Sequence, residues 1–307
     1  MDIIILLFGF SIGLVLLVKG ADEMVSSAIQ IALKFKLPSS IVGATFIGFG
    51  TSAPELFAST RAALKGDLDL GIGNIVGSNI ANSLLVVAVL YLALPKDYSK
   101  KINLNKISPT WMAILTTIFV STYLLTNKFP FLLGVALLVL VLDVIYNMIS
   151  SESDDEEGLI EEEKSYIWLR GGMSLVATLY GSQLVVENAV EIASIFGVSS
   201  LVIGSTIIAI GTSLPEVAGT ISAAKMRKPD IVFGNIFGSN LFNIGLVGGA
   251  AIMISPGEIS SAIDYQLFIM YFVSFVVIFL SRNIIKRNSI LGYVFIALYV
   301  LFLISLF

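Results

Sequence analysis

The 307-residue chain contains no cysteine and no histidine. Lacking cysteine, it forms no disulfide, no thiolate metal site and no cysteine nucleophile. Lacking histidine, it has neither the commonest proton shuttle nor the usual transition-metal ligand. No Ser–Lys arrangement stands near its repeated motifs, so neither an enzyme nor a bound cofactor is expected. Charge is scarce as well. Only 13% of residues are charged, against about a quarter in an ordinary soluble domain. The net charge of −4 is a local matter, because eight of the 22 acidic residues fall in one tract, Glu152 to Glu163. Nothing resembles a nucleic-acid footprint.

What the chain has instead is apolar length. Hydrophobic residues make up 56% of it and the mean hydropathy is +0.94. They fall into ten blocks, at 3–20, 40–64, 68–94, 109–126, 129–149, 166–187, 199–225, 230–254, 264–281 and 288–306. Each approaches the roughly 20 residues that a helix needs to span a bilayer. An all-α, multi-pass protein of the cell membrane is expected, with the lipid bilayer as its first partner. The first block lacks a basic leader (Asp2 stands there) and a small-residue cleavage site, so it reads as a retained helix.

The sequence is written twice. A shift of 161 residues superposes positions 43–82 on 204–243 without a gap, with 18 of 40 positions identical. GATFIGFGTSAPE at 43–55 returns as GSTIIAIGTSLPE at 204–216, and GNIVGSNIAN at 73–82 as GNIFGSNLFN at 234–243. The expected organisation is a five-helix repeat over 1–149, an acidic linker over 150–164 and a second five-helix repeat over 165–307. Five is odd, so the second copy enters the membrane from the opposite side, the inverted-repeat plan of many secondary transporters. Fourteen Lys and Arg residues, Lys100, Lys101, Arg227 and Lys286 among them, fall on one face and three (Arg61, Lys65, Lys128) on the other. The positive-inside rule then places both termini outside and the acidic linker in the cytoplasm.

Glu55 and Glu216 carry the chemistry. Each stands inside an apolar block, where an ionised carboxylate costs at least ~2.5 kcal/mol, and each follows a proline (Pro54, Pro215) that deletes a helical N–H. The carbonyls four residues back, of Gly50 and Gly211, are expected to be freed, which is tolerated at membrane depth only where they are buried in protein or line a polar cavity. Helical spacing adds Thr51, Ser52 and Ser59 to the face of Glu55, and Thr212, Ser213 and Thr220 to that of Glu216. Asn74, Ser78 and Asn82 form a stripe on the next block, repeated by Asn235, Ser239 and Asn243. The set is all oxygen, which suits hard cations; Ca²⁺ takes six to eight such ligands. Each neutral member has a second reading. Ser and Thr in membrane helices bond their own backbone, and Asn serves as interhelical glue. Asp22, Glu23, Glu187 and Glu191 are expected at helix ends, and Asp143 has no assignment.

The paired GTSxPE and GNxxGSNxxN motifs resemble the alpha repeats of the calcium/cation antiporter superfamily, in its sodium/calcium exchanger branch. That resemblance implies ten helices with ion sites clustered around two glutamates. Glu55 and Glu216 would bind Ca²⁺ and share it with Na⁺, joined at the Ca²⁺ site by backbone oxygens of Thr51 and Thr212. Ser52, Ser78, Ser213 and Ser239, with carbonyls near Gly48 and Ala209, would complete the Na⁺ sites, and Asn82 and Asn243 would face the centre. Some relatives carry aspartate where Asn243 stands, and in the potassium-dependent branch that carboxylate goes with K⁺ transport. Asparagine at both positions implies K⁺-independent exchange of Na⁺ for Ca²⁺ by alternating access, with the first and sixth helices moving. The GNxxGS form differs from the GNxxE of proton/calcium exchangers, which are the alternative; a cation channel is the rival from another class. The sequence asks for no partner chain, and a monomer is the expectation.

Overall fold

The computed structural model describes residues 3–101, 104–150, 166–197 and 209–306. The acidic linker and the 199–208 part of the seventh block lie outside the described residues, as does the side chain of Ala209.

The described chain is almost wholly helical. Helix α1 spans Ile3–Phe35; α2, Ser39–Thr51, meets α3, Ala53–Leu64, at a 46° bend; α4 is Leu68–Ala93. Then come α5 (Ile107–Thr126) and α6 (Phe131–Ile149). The second half begins with α7 (Ile167–Ile195) and a described fragment, α8 (Ala209–Gly211). It continues through α9 (Leu214–Lys225), α10 (Pro229–Ile254), α11 (Asp264–Ser281) and α12 (Ser289–Ile304). Among the described residues six helices (α1, α4, α5, α6, α10 and α11) are long and apolar enough to cross a membrane, and α2–α3 makes a seventh as one bent span. The expected blocks at 166–187, 199–225 and 288–306 fall on α7, on α8 with α9, and on α12.

Burial separates a centre from a periphery. The apolar window of α10 is 83% buried and that of α4 72%, whereas that of α1 is only 22% buried. Residues such as Ile4 and Phe8 of α1, Leu132 of α6 and Phe279 of α11 are exposed on the outside. In water such a belt would be a liability; in hydrocarbon it costs nothing, because lipid tails are as apolar as leucine. Helices α4 and α10 therefore form the axis. Close packing against α2 is possible because Gly238 has no Cβ, which would fall 2.5 Å from the Ala44 backbone.

Two short ribbons lace the halves together. Strand β1 (Ser99–Lys101), between α4 and α5, pairs antiparallel with β4 (Ile284–Lys286), between α11 and α12. Strand β2 (Lys128–Phe129), between α5 and α6, pairs with β3 (Gly257–Glu258), between α10 and α11. The α4–α5 turn of the first half thus sits with the α11–α12 turn of the second, and not with its sequence counterpart, the α10–α11 turn. Because α5 leads from one ribbon to the other, the two lie at opposite ends of the bundle. On the β1–β4 end, Arg227 bonds Asp97 at 2.6 Å and holds that exposed carboxyl below the usual carboxylate range.

Helices α1 and α7 pack along each other. A Cβ on Gly13 of α1 would fall 2.9 Å from the Leu184 side chain of α7. The same contact corrects one expectation. Asp22 and Glu23 lie well inside α1 and Glu187 inside α7, instead of at helix ends, whereas Glu191 stands near the end of α7 as expected. Within α1, Glu23 finds Arg170 of α7 at 2.7 Å, so its charge is paired across the interface. Asp143 is exposed on α6, where its carbonyl and its carboxylate both accept from Asn147 one turn on.

Candidate functional site

The two prolines shape the centre. Pro54 occupies the first turn of α3 and Pro215 that of α9, positions where a missing N–H breaks no helical bond. The helix interrupts two residues earlier, at Ser52 (φ −83°, ψ 0°) and Ser213 (φ −91°, ψ 1°). Glu55 and Glu216 consequently stand in the first turn of a half-helix, where free N–H groups and the helix dipole favour negative charge. Both are buried, at 5% and 3% exposure. They share one region. Glu216 lies within Coulombic reach of Glu55 and within hydrogen-bonding reach of Thr51. The Ser78 hydroxyl donates to Glu55 Oε1 at 3.4 Å.

The central helices are locally wound wide. π-helical turns run over Gly43–Gly48, just before the break in α2–α3, and over Asn82–Val86 in α4 and Asn243–Gly248 in α10. Such turns are rare and concentrate at functional sites. In α4 and α10 each opens at one of the asparagines expected to face the centre. Ser239 of α10 donates to the carbonyl of Gly48 at 3.2 Å, so these two expected residues touch directly. Ser52, Ser213, Ser78, Asn82 and Asn243 are buried as well, and Thr51, fully buried, bonds back to the Ile47 carbonyl. Thr212 is exposed, unlike its repeat mate, and Ala209 contributes only a described backbone.

Two expectations resolve differently. The carbonyl of Gly211, expected to be freed for a cation, accepts from Ser182 of α7 at 3.1 Å. Asn74 serves as glue, donating to Ser59 at 2.9 Å, while Ser59 donates to the Gly71 carbonyl at 3.1 Å. Sequence reasoning missed Asn79 and Asn240, the middle asparagines of each GNxxGSNxxN. Asn82 Nδ2 donates to Asn240 Oδ1 at 3.1 Å and Asn243 Nδ2 to Asn79 Oδ1 at 3.0 Å. Their identity at equivalent repeat positions was a signal, but the cross-half pairing was not visible.

Among the described residues, the buried side-chain atoms without a hydrogen-bond partner include Ser52 Oγ, Glu55 Oε2, Glu216 Oε2, Thr220 Oγ1 and Asn243 Oδ1. Ser222 Oγ is unpartnered too, and Glu23 Oε1 lacks a hydrogen bond but has Arg170 beside it as an ion pair. A buried polar atom left unpartnered costs ~1–3 kcal/mol, and every one of these is an oxygen. Oxygens of this kind suit a hard cation as ligand.

Comparison with known proteins agrees. Residues 5–149 and 166–307 match the sodium/calcium exchanger protein family. The sodium/calcium exchanger MaX1 of Methanosarcina acetivorans is 30% identical over 96% of this chain and 97% of its own length. The inner membrane protein YrbG of Escherichia coli is 31% identical over 89% of this chain and 88% of its own. The solved structure of the sodium-calcium exchanger NCX_Mj superposes with a TM-score of 0.84 at 27% identity, covering all of both chains.

Proposed function

The chain belongs to the sodium/calcium exchanger family, a family of membrane transporters, and from that premise we propose that it exchanges Na⁺ for Ca²⁺ by alternating access, without K⁺. The observation that carries this reading is the cluster of unpartnered buried oxygens around Glu55 and Glu216. Two carboxylates balance one Ca²⁺ or two Na⁺, so the cargoes exclude each other from one pocket, and exclusive loading is sufficient for coupling.

The proposed Ca²⁺ ligands are both glutamates with backbone oxygens of Thr51 and Thr212. The proposed Na⁺ ligands add Ser52, Ser78, Ser213 and Ser239 with the carbonyls of Gly48 and Ala209, and the oxygens of Asn82 and Asn243 face the centre. With neither pocket-facing asparagine replaced by aspartate, the fixed charge stays at −2 and leaves no third charge for K⁺ to neutralise. A ten-helix arrangement of inverted repeats, 1–149 and 165–307, is supported by the strand pairing, which joins the α4–α5 turn to the α11–α12 turn. In this reading both termini are outside, the acidic linker is cytoplasmic, and one chain suffices.

The test is Ca²⁺ uptake into proteoliposomes. An outward Na⁺ gradient should drive uptake with K⁺ replaced by choline. Uptake driven by a pH gradient alone would assign the chain to proton exchange instead, and uptake without any counter-ion would make it a channel.

A further inference from the structure

Asparagine is an ambiguous ion ligand. One end of its amide is an acceptor oxygen that attracts a cation, and the other is an NH₂ that repels it. A buried asparagine beside a cation site therefore has to be held the right way round. We propose that Asn79 is the positioning residue that turns the Asn243 oxygen toward the ions, an inference that rests on the cation-site reading above.

A backbone carbonyl can only accept. Asn79 is fully buried on α4 and directs its Nδ2 at the carbonyl oxygen of Asn240, 3.4 Å away, with Met270 Sδ at 3.7 Å as a second acceptor. With its NH₂ committed to acceptors, Asn79 presents its oxygen to Asn243. Asn243 must answer with its own NH₂, and does so at 3.0 Å. Its Oδ1 is then the end that remains, buried and without a partner among the described residues, as are Glu55 Oε2 and Glu216 Oε2. Polarity passes from a carbonyl that cannot be reversed, through one amide, to the next.

The other half does this less firmly. Asn82 donates to Asn240 Oδ1, but the NH₂ of Asn240 meets the Ser83 hydroxyl at 3.2 Å. A hydroxyl can donate as well as accept, so it does not fix the amide's direction. Position 244, the repeat mate of Ser83, is isoleucine. Asn79 is accordingly the residue to test.

The experiment is a double-mutant comparison of Ca²⁺ dissociation constants, measured calorimetrically on the purified full chain, with Na⁺-driven uptake alongside. Asn79→Leu keeps the branched shape and removes the acceptor, freeing the Asn243 amide to turn. Loss of such an orienting partner should raise the Ca²⁺ dissociation constant about tenfold or more. In an Asn243→Asp background the same change should move it by less than about twofold, because both ends of a carboxylate are oxygens. Equal losses in the two backgrounds would show that Asn79 only packs, and no loss in either would show that it does nothing for the ion; both overturn the proposal. Asn79→Ala repeats the comparison should leucine prevent folding. A wild type that binds Ca²⁺ but shows no Na⁺-driven uptake would retire the exchange reading while the binding arm still decides the role of Asn79. A wild type that binds no Ca²⁺ overturns both.

Discussion

Ser239 Oγ lies 3.2 Å from the carbonyl of Gly48 and 3.3 Å from Asn235 Oδ1, two acceptors for its one hydrogen, whereas its repeat mate Ser78 turns to the carboxylate of Glu55. Equivalent residues thus occupy unequal environments. In the proposed site both hydroxyls are neutral ligands, which suit a monovalent ion better than they balance a divalent one. Ser239→Ala should raise the Na⁺ concentration for half-maximal Ca²⁺ release several-fold while shifting the Ca²⁺ dissociation constant by less than about twofold. Na⁺ dependence of efflux, read beside Ca²⁺ binding, measures both. Equal loss of the two affinities would count against separate roles for the serines.

Glu55→Gln and Glu216→Gln each remove one of the two compensating charges. Either variant should lose at least about 99% of Na⁺-driven Ca²⁺ uptake yet keep its thermal midpoint, since a neutral amide is easier to bury than a carboxylate. Uptake at wild-type rate in a folded double variant would dismiss the site.

Asn243→Asp brings the fixed charge of the central layer from −2 to −3 if all three acids ionise. A proton or a further monovalent cation must then accompany the cargo, so uptake should become steeper in pH. Wild type should be indifferent to replacing K⁺ with choline. A strict K⁺ requirement in wild type, or an unchanged pH profile in the folded variant, contradicts the placing of this side chain.

Lys128 on β2 and Lys286 on β4 are exposed at opposite ends of the bundle. The chain has no cysteine of its own, so single cysteines at these positions report cleanly. Lys286→Cys should react only with a reagent on the cytoplasmic side and Lys128→Cys only from outside. Reaction of both from one side would contradict the fold, and reversal of both the orientation.

Much of this was legible before any coordinates. Glu55 and Glu216 stand out because an acid inside an apolar block has few structural excuses, and the repeat doubles the signal. The helix break was legible through Pro54 and Pro215, whose missing N–H has a fixed local consequence. What stayed hidden was long-range or backbone in origin. A π-turn at Asn82 has no side-chain signature. The carbonyl of Gly211 is taken by Ser182, 29 positions away. Helix α1 was expected to end near Lys19 because hydropathy counts Asp22 and Glu23 as water-seeking, and cannot see Arg170 arriving from the other half.

The ribbons bear on how the protein is made. Each consists of one strand from each half, and the asparagine pairs are split the same way. During synthesis the first half emerges with its two strands unpaired and Glu55 and Asn79 lacking their eventual neighbours. No part of the centre can be finished and set aside while the rest is translated. The ribosome must pass α10 before the β2 edge closes and α11 before the β1 edge does, so a premature stop after α10 should leave a chain that membrane quality control recognises and degrades.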